Sequence, residues 1–121
     1  MKIVIASVIA LLTLAVLLDS NQAGDKAKYT IAEVMKKAHK DGLLKVVASG
    51  KASEAQRKEL AELYKALSQN SPPKGDAEDW KKVTGALAKA SAAAATGDAA
   101  AAKSLIKLAN CQGCHDKHKD E

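Results

Sequence analysis

Near the end of this 121-residue chain runs Cys111-Gln112-Gly113-Cys114-His115. On a helix, thiols three residues apart share a face, and a histidine four residues after the first stands beside both. Cys-x-x-Cys-His is the attachment signature of c-type haem. Each thiol can add across a porphyrin vinyl group as a thioether, and the adjacent imidazole can donate a nitrogen to the iron. Cys111 and Cys114 are therefore the candidate covalent anchors and His115 the candidate proximal ligand, for one haem c per chain. Other uses of these residues compete. A plain disulfide suits an exported protein, and a thioredoxin-type pair also uses Cys-x-x-Cys but sits in a strand-containing fold. Zinc in a closed site wants four ligands, which His118 and His39 would have to complete.

The rest of the chain must hold such a group in place, and its length leaves room for one domain. Its apolar fraction is 47%, but 16 of the 23 residues from Met1 to Ala23 are apolar, leaving 41 among the other 98. Those 98 include 21 alanines, one tryptophan, two tyrosines and no phenylalanine. A small domain with so few bulky side chains has a marginal core, so a large apolar cofactor is a natural supplement.

Lys2, the apolar run Ile3 to Leu18 and the small and polar residues Asp19 to Ala23 have the layout of a signal peptide. The apolar run is sixteen residues, short of the roughly 20 that span a bilayer. Cleavage after Ala23 is expected, with an uncleaved anchor as the alternative, so the location is periplasmic or otherwise exported. The domain is then residues 24–121, and losing Lys2 and Asp19 leaves its net charge at +5.

Helical signals fill that domain. Thr30 with Glu33, and Ser53 with Gln56, form capping boxes. Ile31, Val34, Met35 and Ala38 follow the first at helical spacing, until Gly42 interrupts and Leu43, Leu44, Val46 and Val47 continue at a shifted angle. Leu60, Leu63, Tyr64 and Leu67 line one face of the second helix. Residues 71–75 form a linker ended by Asp76, a cap for a third helix whose Trp80, Val83, Leu87 and Ala90 or Ala94 face inward. Thr96-Gly97 stops it, and Asp98 caps a fourth helix with Ala101, Leu105, Leu108 and Ala109 inward. The alanine runs read as close helix packing. The predicted fold is an all-α antiparallel four-helix bundle with C-terminal haem attachment.

A four-helix bundle with Cys-x-x-Cys-His in its last helix resembles the class II c-type cytochromes, the cytochrome c′ group. Lys119 matches the basic residue usual four places after the haem histidine, while His118 departs from the aromatic that usually precedes it. Gly75-Asp76-Ala77-Glu78-Asp79-Trp80 looks like the group's tryptophan-bearing segment. The resemblance implies that the first helix supplies the residue facing the far side of the iron. Val34-Met35-Lys36 looks like the methionine-bearing version, which makes Met35 the leading distal candidate and His39 the alternative. Methionine on an apolar stripe is also ordinary core filler. His39 can equally flank the neighbouring lysines in solvent, and Trp80 can be plain core or can pack on the porphyrin.

Nineteen basic residues against fourteen acidic favour acidic partners. Lys36, Lys37, Lys40 and Lys45 cluster in the first helix, and Lys117 and Lys119 follow the haem motif, where His118 is expected to be solvated. The function expected is therefore single-electron transfer between redox proteins with acidic docking surfaces, with no enzymatic chemistry. The alternatives are a nitric-oxide-binding haem protein with an open sixth site, and a small structural or metal-binding helical protein without haem. Nucleic acid is not an expected partner, for want of stacking aromatics, and a homodimer is left open.

Overall fold

The computed structural model describes residues 27–120. The signal-peptide and cleavage readings lie outside them. The described residues are all-helical, with no strand among them, and none of their helices is long and apolar enough to cross a membrane. In chain order they form α1 (Ile31–Val34), running on into a π-helical stretch (Met35–Lys40), then α2 (Leu43–Ala48), α3 (Glu54–Gln69), α4 (Ala77–Ala95), α5 (Ala99–Leu108) and α6 (Cys111–His118).

Each start has a local cause. Both capping boxes form: Thr30 Oγ1 accepts from Glu33 N at 3.1 Å while Glu33 Oε2 accepts from Thr30 N at 2.9 Å. Ser53 and Gln56 repeat the exchange at 3.2 and 2.9 Å. The Asp76 carboxylate accepts from Glu78 N at the start of α4, and Asp98 from Ala101 N at the start of α5. A side-chain acceptor there satisfies N–H groups that the first turn cannot pair.

The most extensive helix pairing is α3 with α4, followed by α4 with α5. The inward face of α3 is the expected one, with Leu60, Leu63, Tyr64 and Leu67 all buried. Trp80, Leu87 and Ala94 bury along α4, and Thr84 and Ser91 bury beside them. Their hydroxyls donate to carbonyls one turn earlier, Thr84 Oγ1 to Trp80 O at 2.7 Å and Ser91 Oγ to Ala88 O at 3.0 Å. The two buried hydroxyls thus carry no unmet hydrogen-bonding demand.

Two of the four expected helices are each divided. The first becomes α1 with its π turn, and then α2 after a turn at Asp41–Gly42. Asp41 N donates to Lys36 O five residues back, at 2.8 Å, the pairing of a π turn. The last divides at Ala109–Asn110. Ala109 leaves helical backbone (ψ 66°), and the Asn110 side chain caps a new helix. That break corrects the expected inward face of α5. Leu105 and Ala102 are buried, but Ala101 is half-buried and Leu108, which closes α5, is 36% exposed.

The interior location of Leu60 predicts that Leu60→Ala lowers unfolding free energy by about 2–5 kcal/mol in urea titration, the usual effect of emptying a packed leucine site. Ile106→Ala, at a side chain 52% exposed, should change it by less than about 0.5 kcal/mol.

Candidate functional site

The break at Ala109–Asn110 places Cys111 at the first position of α6. Asn110 Oδ1 accepts from Gly113 N at 3.0 Å and holds the first turn. A Cβ at Gly113 would lie 2.5 Å from Asn110 Nδ2, so the second residue between the two cysteines must be small for this cap to close. Cys111 is exposed, Cys114 is half-exposed, and both are free thiols. Burial first, then Asp79 and Cys111, push the Cys114 thiol above its ordinary value.

Two cavities meet at this helix. One is an apolar-walled cleft of about 480 Å³ lined by Ile31, Met35, Pro73, Trp80, Cys114, His115 and others. The other is a void of about 30 Å³ bordered by Met35, His39, Leu108, Cys111, Cys114 and His115, among others. Met35, Cys114 and His115 belong to both. The fold thus brings Cys111, Cys114, His115, Met35, His39 and Trp80 to one pair of adjoining cavities. Leu108 borders the smaller void, so its exposure is toward the site as well as toward solvent.

Trp80 is 2% exposed, and its indole Nε1 donates to Asn70 O at 2.8 Å. It is core, and it also forms part of the cleft wall. His39 is not a solvated bystander: Nε2 lies 3.0 Å from the hydroxyl of Tyr64, whose side chain is fully buried. Burial first, and then His115, lower the pKa of His39 from its usual 6.5. Burial likewise raises that of Tyr64, since a low-dielectric interior disfavours each charged form.

His118 corrects the expectation of a solvated side chain. It is 2% exposed, with Nδ1 3.0 Å from Lys74 O and Nε2 2.9 Å from Asp79 Oδ2. The cause is non-local: Lys74 in the linker and Asp79 on α4 meet α6 from far away in the sequence. With both ring nitrogens engaged, His118 is not free to complete a zinc site. Among the described residues, no group of three or more His, Cys, Asp or Glu side chains is placed to hold a metal ion. Of the clustered lysines, Lys36, Lys40, Lys45, Lys117 and Lys119 are exposed and Lys37 is half-buried.

Neither the π turn nor the cap on α6 was anticipated. The shifted angle of Leu43 to Val47 was the trace of the first, and an asparagine three residues before Gly113 was the trace of the second. No family model, no curated protein and no solved structure matches the chain.

The lowered pKa of His39 makes a signed prediction. As pH falls through about 6.5 the unfolded chain binds a proton that the folded chain resists, so stability falls. Unfolding free energy of the cofactor-free protein should rise with pH through the interval between the lowered value and about 6.5. His39→Gln should flatten that rise in urea titrations run across the interval.

Proposed function

We propose that this protein is an exported monohaem c-type cytochrome of class II style, which carries single electrons between redox partners. The observation that carries the reading is the apolar cleft walled by Cys114 and His115 of α6 and by Met35 of the π-helical stretch. Its volume of about 480 Å³ lies in the ordinary range for cofactor sites, about 300–1,000 Å³. The donor set also fits: free thiols to form thioethers, an imidazole next to them, and a thioether sulfur in the same cavities. In the bundle reading, α1 with α2, α3, α4, and α5 with α6 serve as the four arms of an antiparallel bundle.

In this assignment Cys111 and Cys114 would hold haem c covalently through thioethers, and the His115 imidazole would ligate its iron. When bound, the group supplies a one-electron iron couple. The chain supplies the rest: Trp80 and Ile31 exclude water from the cleft wall, and Met35 offers a sulfur that favours a higher potential than a second histidine would. The hydrogen bonding favours Met35 over His39 as distal ligand. His39 is the partner of the buried Tyr64 hydroxyl, and turning it toward iron would orphan that hydroxyl at a cost of about 1–3 kcal/mol. The exposed lysines of the π-helical stretch, α2 and α6 suit weak, fast-exchanging contact with acidic redox proteins.

Expression in a haem-attaching host tests the reading. Mass spectrometry should find one covalent haem per chain, lost in the Cys111→Ser/Cys114→Ser variant. The ferric protein should be low-spin and indifferent to nitric oxide. Met35→Ala should convert it to a high-spin form while His39→Ala leaves it low-spin. A chain without haem mass overturns the proposal, and a high-spin wild type that binds nitric oxide favours a gas-binding role.

A further inference from the structure

His118 is given no bond to the cofactor in the proposal above, although it lines the same cleft, and it is the one buried histidine among the described residues. Its ring is boxed in on several sides. Nδ1 faces the Lys74 carbonyl at 3.0 Å, an oxygen that only accepts, so Nδ1 carries a proton. Nε2 faces the Asp79 carboxylate at 2.9 Å. The Trp80 ring meets it edge-on, with centroids 5.4 Å apart and planes at 75°. Lys117, one residue earlier, reaches the same carboxylate oxygen at 3.9 Å.

The linker is shaped to receive this ring. Gly75 has a φ of +88°, and a Cβ there would meet the Lys117 carbonyl and lie 2.8 Å from His118 Nδ1. Only glycine permits both the backbone angle and the approach. This arrangement matters because α6 makes no extensive pairing with any other helix. A helix of eight residues without such pairing is marginal by itself, so its placement depends on individual side chains.

We propose that His118 is a positioning residue: its two hydrogen bonds, to Lys74 in the linker and Asp79 on α4, latch α6 in place and so fix Cys114 and His115 at the cleft wall. The latch rests on the functional reading above only for what the wall holds. Its geometry belongs to the chain alone, so it can be tested without the cofactor.

The test uses cofactor-free protein with one thiol at a time, Cys111→Ser or Cys114→Ser, and follows iodoacetamide labelling by mass spectrometry under native conditions. Cys114 should label more slowly than Cys111, because it is half-buried where Cys111 is exposed. His118→Ala should speed Cys114 labelling by about tenfold or more, the population equivalent of losing a hydrogen bond to a charged group, and leave Cys111 unchanged. Leu60→Ala, which weakens the core away from α6, should leave the Cys114 rate unchanged while circular dichroism shows the chain folded. The latch is overturned if folded His118→Ala labels like the parent, or if Leu60→Ala speeds Cys114 equally. Failure of the functional reading stays separate: a chain lacking haem mass but showing these rates loses the haem and keeps the latch.

Discussion

The arrangement around the cleft depends on one asparagine. Asn70 closes α3, and its carboxamide nitrogen donates to Ala66 O at 2.8 Å and to Tyr29 O at 2.9 Å, tying the entry segment of α1 to the end of α3. Its own carbonyl accepts the Trp80 indole N–H at 2.8 Å, tying α3 to the first turns of α4. Three elements that border the site are thereby joined through one residue. Bonds of this kind contribute about 1 kcal/mol each, but their larger effect is geometric. They hold Trp80, the largest side chain of an aromatic-poor protein, where it both fills the core and backs the cleft. His118 then packs on the indole, and α6 takes its place from there.

Much of this was legible in residue types and spacing. The two capping boxes, the buried face of α3, the Asp76 and Asp98 caps and the all-helical character follow from side chains within four residues of one another, where sequence and structure are closely coupled. That Met35 borders the same pair of adjoining cavities as Cys111, Cys114 and His115 was implied only by the class II resemblance, not by spacing. What was not legible is non-local or depends on one extra residue in a turn. His118 lies among Asp116, Lys117 and Lys119 in sequence, which reads as solvent. Its burial comes from Lys74 and Asp79, 44 and 39 residues away. Leu108 reads as an inward leucine at helical spacing, but spacing ceases to predict orientation at the turn where the helix ends.

The π-helical stretch has its own consequence. A π turn widens the helix by one residue and is found mostly as an isolated feature, often at functional sites. Here it spans Met35–Lys40 and brings both Met35 and His39 to the void beside Cys111 and Cys114. Met35 and His39 therefore share one irregular segment. His39 is already bonded to the Tyr64 hydroxyl.

The thin core and the divided helices have a common physical origin. Alanine favours helix strongly but buries little area per residue, so α4 and α5 form readily and pack closely without contributing much hydrophobic free energy. A chain built this way can leave a large cleft open beside Trp80 only if the surrounding elements are fixed by directed contacts rather than by bulk burial. Asn70, the Asn110 cap and the His118 pair are such contacts. They hold short segments in place where apolar area is scarce, and a large apolar group covalently joined at Cys111 and Cys114 would then supply the buried surface that the side chains lack.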